Sequence, residues 1–90
     1  MRKIAILTLA AVILGAASAQ AGSLGKPCTS AREAQWLPMA QLQAKVEAQG
    51  YKVQKAKLKN ACGEFYARDK SGNRAELFVD PTNGQIIGQM

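Results

Sequence analysis

The sequence predicts an α+β domain. One amphipathic helix packs on one face of a three- to four-stranded antiparallel sheet, in α-β-β-β order, after a cleavable signal peptide. Three observations predict it. A single stretch, residues 38–49, carries apolar residues at helical spacing. Short stretches after it alternate apolar and polar residues and are punctuated by Asn, Gly and Pro. An apolar leader with a basic start precedes everything else.

The leader sets the compartment. Arg2 and Lys3 are followed by an apolar run, residues 4–16, too short and wrongly flanked for a membrane span. Two overlapping small-x-small sites follow, Ala17-Ser18-Ala19 and Ala19-Gln20-Ala21. Residues 1–21 read as a bacterial-style signal peptide cleaved near Ala19 or Ala21, which makes the mature protein periplasmic or secreted. An uncleaved N-terminal anchor is the competing reading. No cysteine follows the apolar run, so a lipoprotein anchor is not indicated, and no stable membrane anchor is expected after cleavage.

The mature chain is one small domain, residues 35–90, behind an extended N-terminal arm, residues 22–34. A domain of this size buries only about 60% of its unfolded surface and benefits from a covalent staple. Cys28 and Cys62 are an even pair in an oxidising compartment and read as a disulfide. Closing a loop of about 35 residues is worth roughly 3.5–4 kcal/mol in chain entropy. A redox pair would want CxxC spacing. A metal site would want more than two thiols, and the chain has no histidine.

Within the domain, Pro38 suits the first helical position. Met39, Leu42 and Val46, with Ala40 and Ala44 beside them, form the apolar stripe, and Gly50 stands at C′. Trp36 and Leu37 read as packing residues that fix the approach to the helix. The first strand, residues 51–59, is out of phase: Val53 points one way and Ala56 and Leu58 the other, unless a twist or bulge intervenes. Asn60-Ala61 is a turn. The second strand, residues 62–69, places Phe65 and Ala67 on one face and Glu64, Tyr66 and Arg68 on the other. A Ser71-Gly72-Asn73 loop leads into the third strand, residues 75–80, and residues 85–88 form a short last strand. That loop pairs Arg68 with Glu76 and Tyr66 with Phe78, so opposite charges meet and aromatics meet. Phe65, Ala67, Leu77 and Val79 then face the helix.

Several features together resemble a PepSY domain: the helix ending in Gly50-Tyr51, the Val53 strand, Glu64-Phe65-Tyr66, the Gly72 hairpin, and Val79-Asp80-Pro81-x-x-Gly84-x-Ile86. The resemblance covers about residues 35–88 and is greatest to the small single-domain periplasmic PepSY proteins of proteobacteria. It implies a module that binds or inhibits peptidases, and it carries no catalytic residues. Read on its own chemistry, the Asp80-Pro81 motif builds a hairpin. Pro81 presets φ, the Asp80 carboxylate accepts backbone N–H groups, and Gly84 supplies positive φ.

The absence of histidine excludes Ser-His and Cys-His pairs and any His-ligated metal. Glu64, Asp69, Glu76 and Asp80 lie on or beside an open sheet and read as solvated acids. No cofactor is implied, and the chain is not expected to be an enzyme. Losing Arg2 and Lys3 with the leader takes the net charge from +6 to about +4. That is not the basic stripe of a nucleic-acid binder. Lys52, Lys55, Lys57 and Lys59 on the first strand are a candidate basic patch for an anionic partner, or simple edge protection. Tyr66 and Phe78, rimmed by Glu64, Arg68 and Glu76, are a candidate partner face on the side of the sheet the helix cannot cover. The arm held by Cys28 folding across them, or a plain cross-strand pair, would account for them equally.

The functional expectation is a non-enzymatic periplasmic module that binds a protein or peptide, a peptidase among the candidates. The alternative is a basic envelope-associated protein that holds anionic surfaces through its lysine-rich strand. A self-associating domain that closes its edge by dimerisation is a third reading.

Overall fold

The computed structural model describes residues 24–90; the expected signal peptide and the first two residues of the arm lie outside them. The arm leads into a single 3-10 turn, Glu33–Gln35, and then into helix α1, Met39–Ala48. Four strands follow: β1 (Lys52–Lys59), β2 (Cys62–Arg68), β3 (Arg74–Val79) and β4 (Ile86–Gln89). They form one antiparallel sheet in the order β1-β2-β3-β4, with α1 packed on one face. This is the predicted architecture with its fourth strand present.

The helix begins one residue later than expected. Pro38 is the N-cap, with φ −60° and ψ 151°, and its carbonyl accepts the Leu42 N–H at 3.0 Å. The ring's fixed φ suits an extended cap as well as a first helical turn, so sequence alone does not separate the two. Gly50, with φ 105°, ends the helix as predicted. Leu42 and Val46 are fully buried against Phe65, Leu77 and Val79. Ala40 and Ala44 are exposed and do not belong to the stripe; half-buried Leu37 and Met39 complete it.

The phase break in β1 is a bulge between Val53 and Lys55. Gln54 is the extra residue, and it brings the two halves of the strand into one phase. Val53, Ala56 and Leu58 then pair with Ala67, Phe65 and Gly63 on the helix side. Lys52, Lys55, Lys57 and Lys59 pair with Arg68, Tyr66, Glu64 and Cys62 on the reverse side. β1 and β2 are joined by Asn60 (φ 53°) and Ala61 (φ 57°), both in the left-handed region that a two-residue primed turn requires.

The β2–β3 register differs from the expected one by two residues. Tyr66 pairs with Glu76, Glu64 with Phe78 and Arg68 with Arg74. The Arg68–Glu76 and Tyr66–Phe78 pairs therefore do not form, and the Arg68 guanidinium donates instead to the Gly72 carbonyl at 2.8 Å. The loop decides this. Asp69 Oδ1 accepts the N–H groups of Ser71 and Asn73, both at 2.9 Å, and the Asp69 N–H donates to the Asn73 carbonyl. Gly72 takes φ 85°. These bonds close the hairpin around residues 70–72 rather than 71–73. A shift of two keeps every side chain on its face, so the predicted core set survives.

The Asp80 motif joins helix to sheet. Asp80 Oδ1 accepts the Thr82 N–H at 2.9 Å and the Thr82 hydroxyl at 2.7 Å, and the Gly84 N–H donates to the Asp80 carbonyl at 2.8 Å. The Leu37 N–H, just before the helix, donates to the Pro81 carbonyl at 2.8 Å. The Gln49 side chain, at its end, donates to the Gly84 carbonyl at 3.3 Å. Gly84 has φ 80°, and a Cβ there would sit 2.9 Å from the Cβ of Lys45. Both the conformation and the close approach require glycine.

Two expectations follow. Ala61→Gly should stabilise the domain by about 0.5–1 kcal/mol, because it removes the Cβ penalty of the left-handed region at some cost in unfolded-chain entropy. Urea unfolding measures this, and a loss of stability would contradict the turn geometry. The bonds from the Asn73 and Ser71 N–H groups hold the Asp69 carboxyl below its ordinary value. Their stabilising effect is present above pH about 4 and is lost as pH falls through the lowered value. A carboxylate NMR titration of Asp69 should show a midpoint below 3.8.

Candidate binding surface

α1 shields the helix side of the sheet, so the reverse side needs other cover or must face solvent. Beyond the Lys59–Cys62 pair at one end, three cross-strand rows build that reverse side. One runs Lys57, Glu64, Phe78, Gly88; the next runs Lys55, Tyr66, Glu76; the third runs Lys52, Arg68, Arg74. The β3–β4 ladder continues past β4, with Glu76 and Met90 exchanging both backbone bonds at 3.0 and 2.9 Å.

The N-terminal arm covers part of this side. Cys28 and Cys62 form the expected disulfide, with Cα atoms 4.9 Å apart. The arm residue Leu24 packs with Cys28, Cys62 and Phe78 in a second small core. Gly88 lets it approach: a Cβ there would meet Leu24 Cδ1 at 2.5 Å. Phe78 is consequently fully buried. The expected open pair of Tyr66 and Phe78 is corrected. The two are diagonal neighbours, and the arm takes Phe78. Period-2 alternation assigns Phe78 to the right side of the sheet but says nothing of what lies over it.

Tyr66 remains half-exposed at the centre of a charged cluster. The ammonium groups of Lys55 and Lys57 each lie 5.9 Å from the centre of its ring. At that distance each contributes about 0.5–1 kcal/mol at an exposed site. Glu64 is not a solvated rim residue as expected; it is only 2% exposed, and its Oε1 has no hydrogen-bond partner. Glu76 Oε2 is likewise buried without a partner. Burial first, then the negative charge of Glu76 and of Glu64, pushes the Tyr66 phenol above its ordinary value. Arg68 is half-buried and turned to the Gly72 carbonyl, away from this cluster.

All four lysines of the candidate basic patch are exposed. The bulge at Gln54 aligns them in one row on the reverse side of the outermost strand. Along the same strand a groove of about 470 Å³ runs between β1 and α1, lined by Met39, Val53, Ala56 and Leu58 and, at its polar margin, by Gln43, Gln54, Lys55 and Lys57. Leu58 is 43% exposed there. Sequence reasoning placed these residues but missed the groove, which lies where α1 packs over the edge strand. It also missed Leu24, which carries no periodic signal. Among the described residues, no group of three or more Cys, Asp or Glu side chains could hold a metal.

The family described as peptidase propeptide and YPEB domain matches residues 4–90. The chain belongs to the PepSY family. The match takes in every element of the fold, from the arm to β4. No curated protein and no solved structure matches the chain. The chain is thus a peptidase-propeptide-like module. Its disulfide and its family fit an extracytoplasmic protein, and no helix among the described residues is long and apolar enough to cross a membrane.

Phe78 and Tyr66 should now behave differently on substitution. Phe78→Ala should cost about 3–5 kcal/mol, as expected for removing a buried ring. Tyr66→Phe should cost under about 1 kcal/mol. Denaturant unfolding of both variants checks this; equal costs would mean that the arm does not seal Phe78.

Proposed function

We propose that this PepSY protein is exported to the periplasm, loses residues 1–21, and acts without catalysis as a module that binds a protein or peptide, with a peptidase as the partner class. The observation that carries this reading is the family match across the whole fold. The leader, with Arg2 and Lys3 before its apolar run, supports export. The kin expected are the small periplasmic PepSY proteins of proteobacteria. The arm takes Phe78 out of any contact surface, so recognition falls to Tyr66, the lysine row and the edge of β1.

A second reading has its own supporting observation. Lys52, Lys55, Lys57 and Lys59 share one face, an arrangement that would also hold anionic lipid or polymer surfaces without a specific partner.

Salt separates the two. The immobilised mature protein should retain a peptidase from envelope extract of the producing cell, or lower its activity, at 0.15 M and at 0.5 M salt. At the higher salt, screening acts within about 4–5 Å. Tyr66→Ala should weaken the retention. Retention that vanishes by 0.5 M salt, together with binding to phosphatidylglycerol vesicles at low salt, would replace this function with the surface-binding one.

A further inference from the structure

The edge of β1 is built to receive a particular kind of strand. β1 is the longest strand of the sheet, eight residues, and lies at its outside. The other outside strand, β4, has four residues and the arm residue Leu24 packed over Gly88. An edge strand directs alternate N–H and C=O groups outward, where a further strand can pair with them. The two faces of β1 differ sharply. Lys55, Lys57 and Lys59 line one, and Val53, Ala56 and Leu58 line the other, beside the groove bounded by Met39.

We propose that the β1 edge takes up an extended acidic segment of a protein partner as a fifth strand, with acidic side chains alternating with apolar ones. The proposal rests on the protein-binding reading above and names its site and ligand class. Neighbouring strands hold opposed Cβ atoms about 4.5–5.5 Å apart, so along the regular stretch beyond the bulge, residues 55–59, an added strand sets every second side chain beside the lysines. Those positions select Asp or Glu. The intervening side chains lie over the groove, beside Leu58 and Ala56, and are apolar. The same comb rejects a second copy of this chain, because pairing β1 with β1 would set lysine against lysine. A membrane surface would use the lysines but neither the outward backbone groups nor the groove.

The test uses an eight-residue end-blocked peptide alternating glutamate with valine, matched to the length of β1. Comparators are the same residues in two blocks, the alternating peptide N-methylated at either set of alternate positions, and phosphatidylglycerol vesicles. The alternating peptide should bind by calorimetry and protect β1 amides from exchange. One N-methylated form should lose at least about tenfold in affinity while the other keeps most of it, since only one set of N–H groups faces β1. Lys55→Gln/Lys59→Gln, at two exposed positions, should weaken binding about three- to tenfold with unchanged circular dichroism. Equal binding of the block peptide, equal binding of the two N-methylated forms, or binding to vesicles alone would overturn the proposal. Failure of the peptide while peptidase retention persists removes the edge site and leaves the protein-binding function standing; loss of both removes both.

Discussion

A ten-residue helix covers one side of a four-stranded sheet and no more, and the remaining structure answers that shortfall. On the helix side, Leu42 and Val46 meet Phe65, Leu77 and Val79 in the main core. On the reverse side no second helix stands among the described residues. The chain uses its arm instead, tied at Cys28 to the start of β2 and laid over Phe78 by Leu24. The disulfide therefore does more than shorten the unfolded chain. It fixes the lid of a second core too small to hold its own cover by burial, since among the described residues Leu24 is the one partly buried hydrophobic side chain packed on it. Where the lid ends, Tyr66 and the lysines meet solvent.

The helix itself is held at both ends by one turn. Leu37 bonds to Pro81 before the helix begins, and Gln49 bonds to Gly84 after it ends. A ten-residue helix is too short to persist in water alone. Its position thus depends on the Asp80–Gly84 turn as much as on its apolar stripe. The Asp-Pro-x-x-Gly motif carries family resemblance for a mechanical reason: its carbonyls are the brackets to which the helix is fastened.

What the sequence made legible follows the sizes of the forces. The face of each strand residue was readable because burying Phe65, Leu77 or Val79 is worth about 1.5–3 kcal/mol apiece and tolerates no odd shift. The β2–β3 register was misread by two residues because it was argued from cross-strand pairs worth about 0.2–1 kcal/mol. The Asp69 carboxylate, with two N–H bonds, and Gly72 outweigh them. The bulge was inferable as a phase conflict, and its residue, Gln54, was not. Among candidate site residues, the lysine row and the disulfide were readable from alternation and pairing. The burial of Glu64 was not, and that of Phe78 stood only as one alternative, because it depends on the arm, a segment whose path no periodicity encodes.

Glu64 gives the lysine row a structural role as well as a surface one. A carboxylate 2% exposed with an unpartnered oxygen is costly unless positive charge stands nearby. Lys57 lies opposite it in the sheet, and Lys55 and Lys57 both lean over the neighbouring Tyr66 ring. Plain edge protection would be served by lysines on either face, or by fewer of them. The bulge at Gln54 instead places all four on the side that carries Glu64 and Tyr66, and leaves the other face of the edge apolar. An edge guarded only against pairing gains nothing from that segregation, whereas the proposed uptake of an alternating acidic strand uses it.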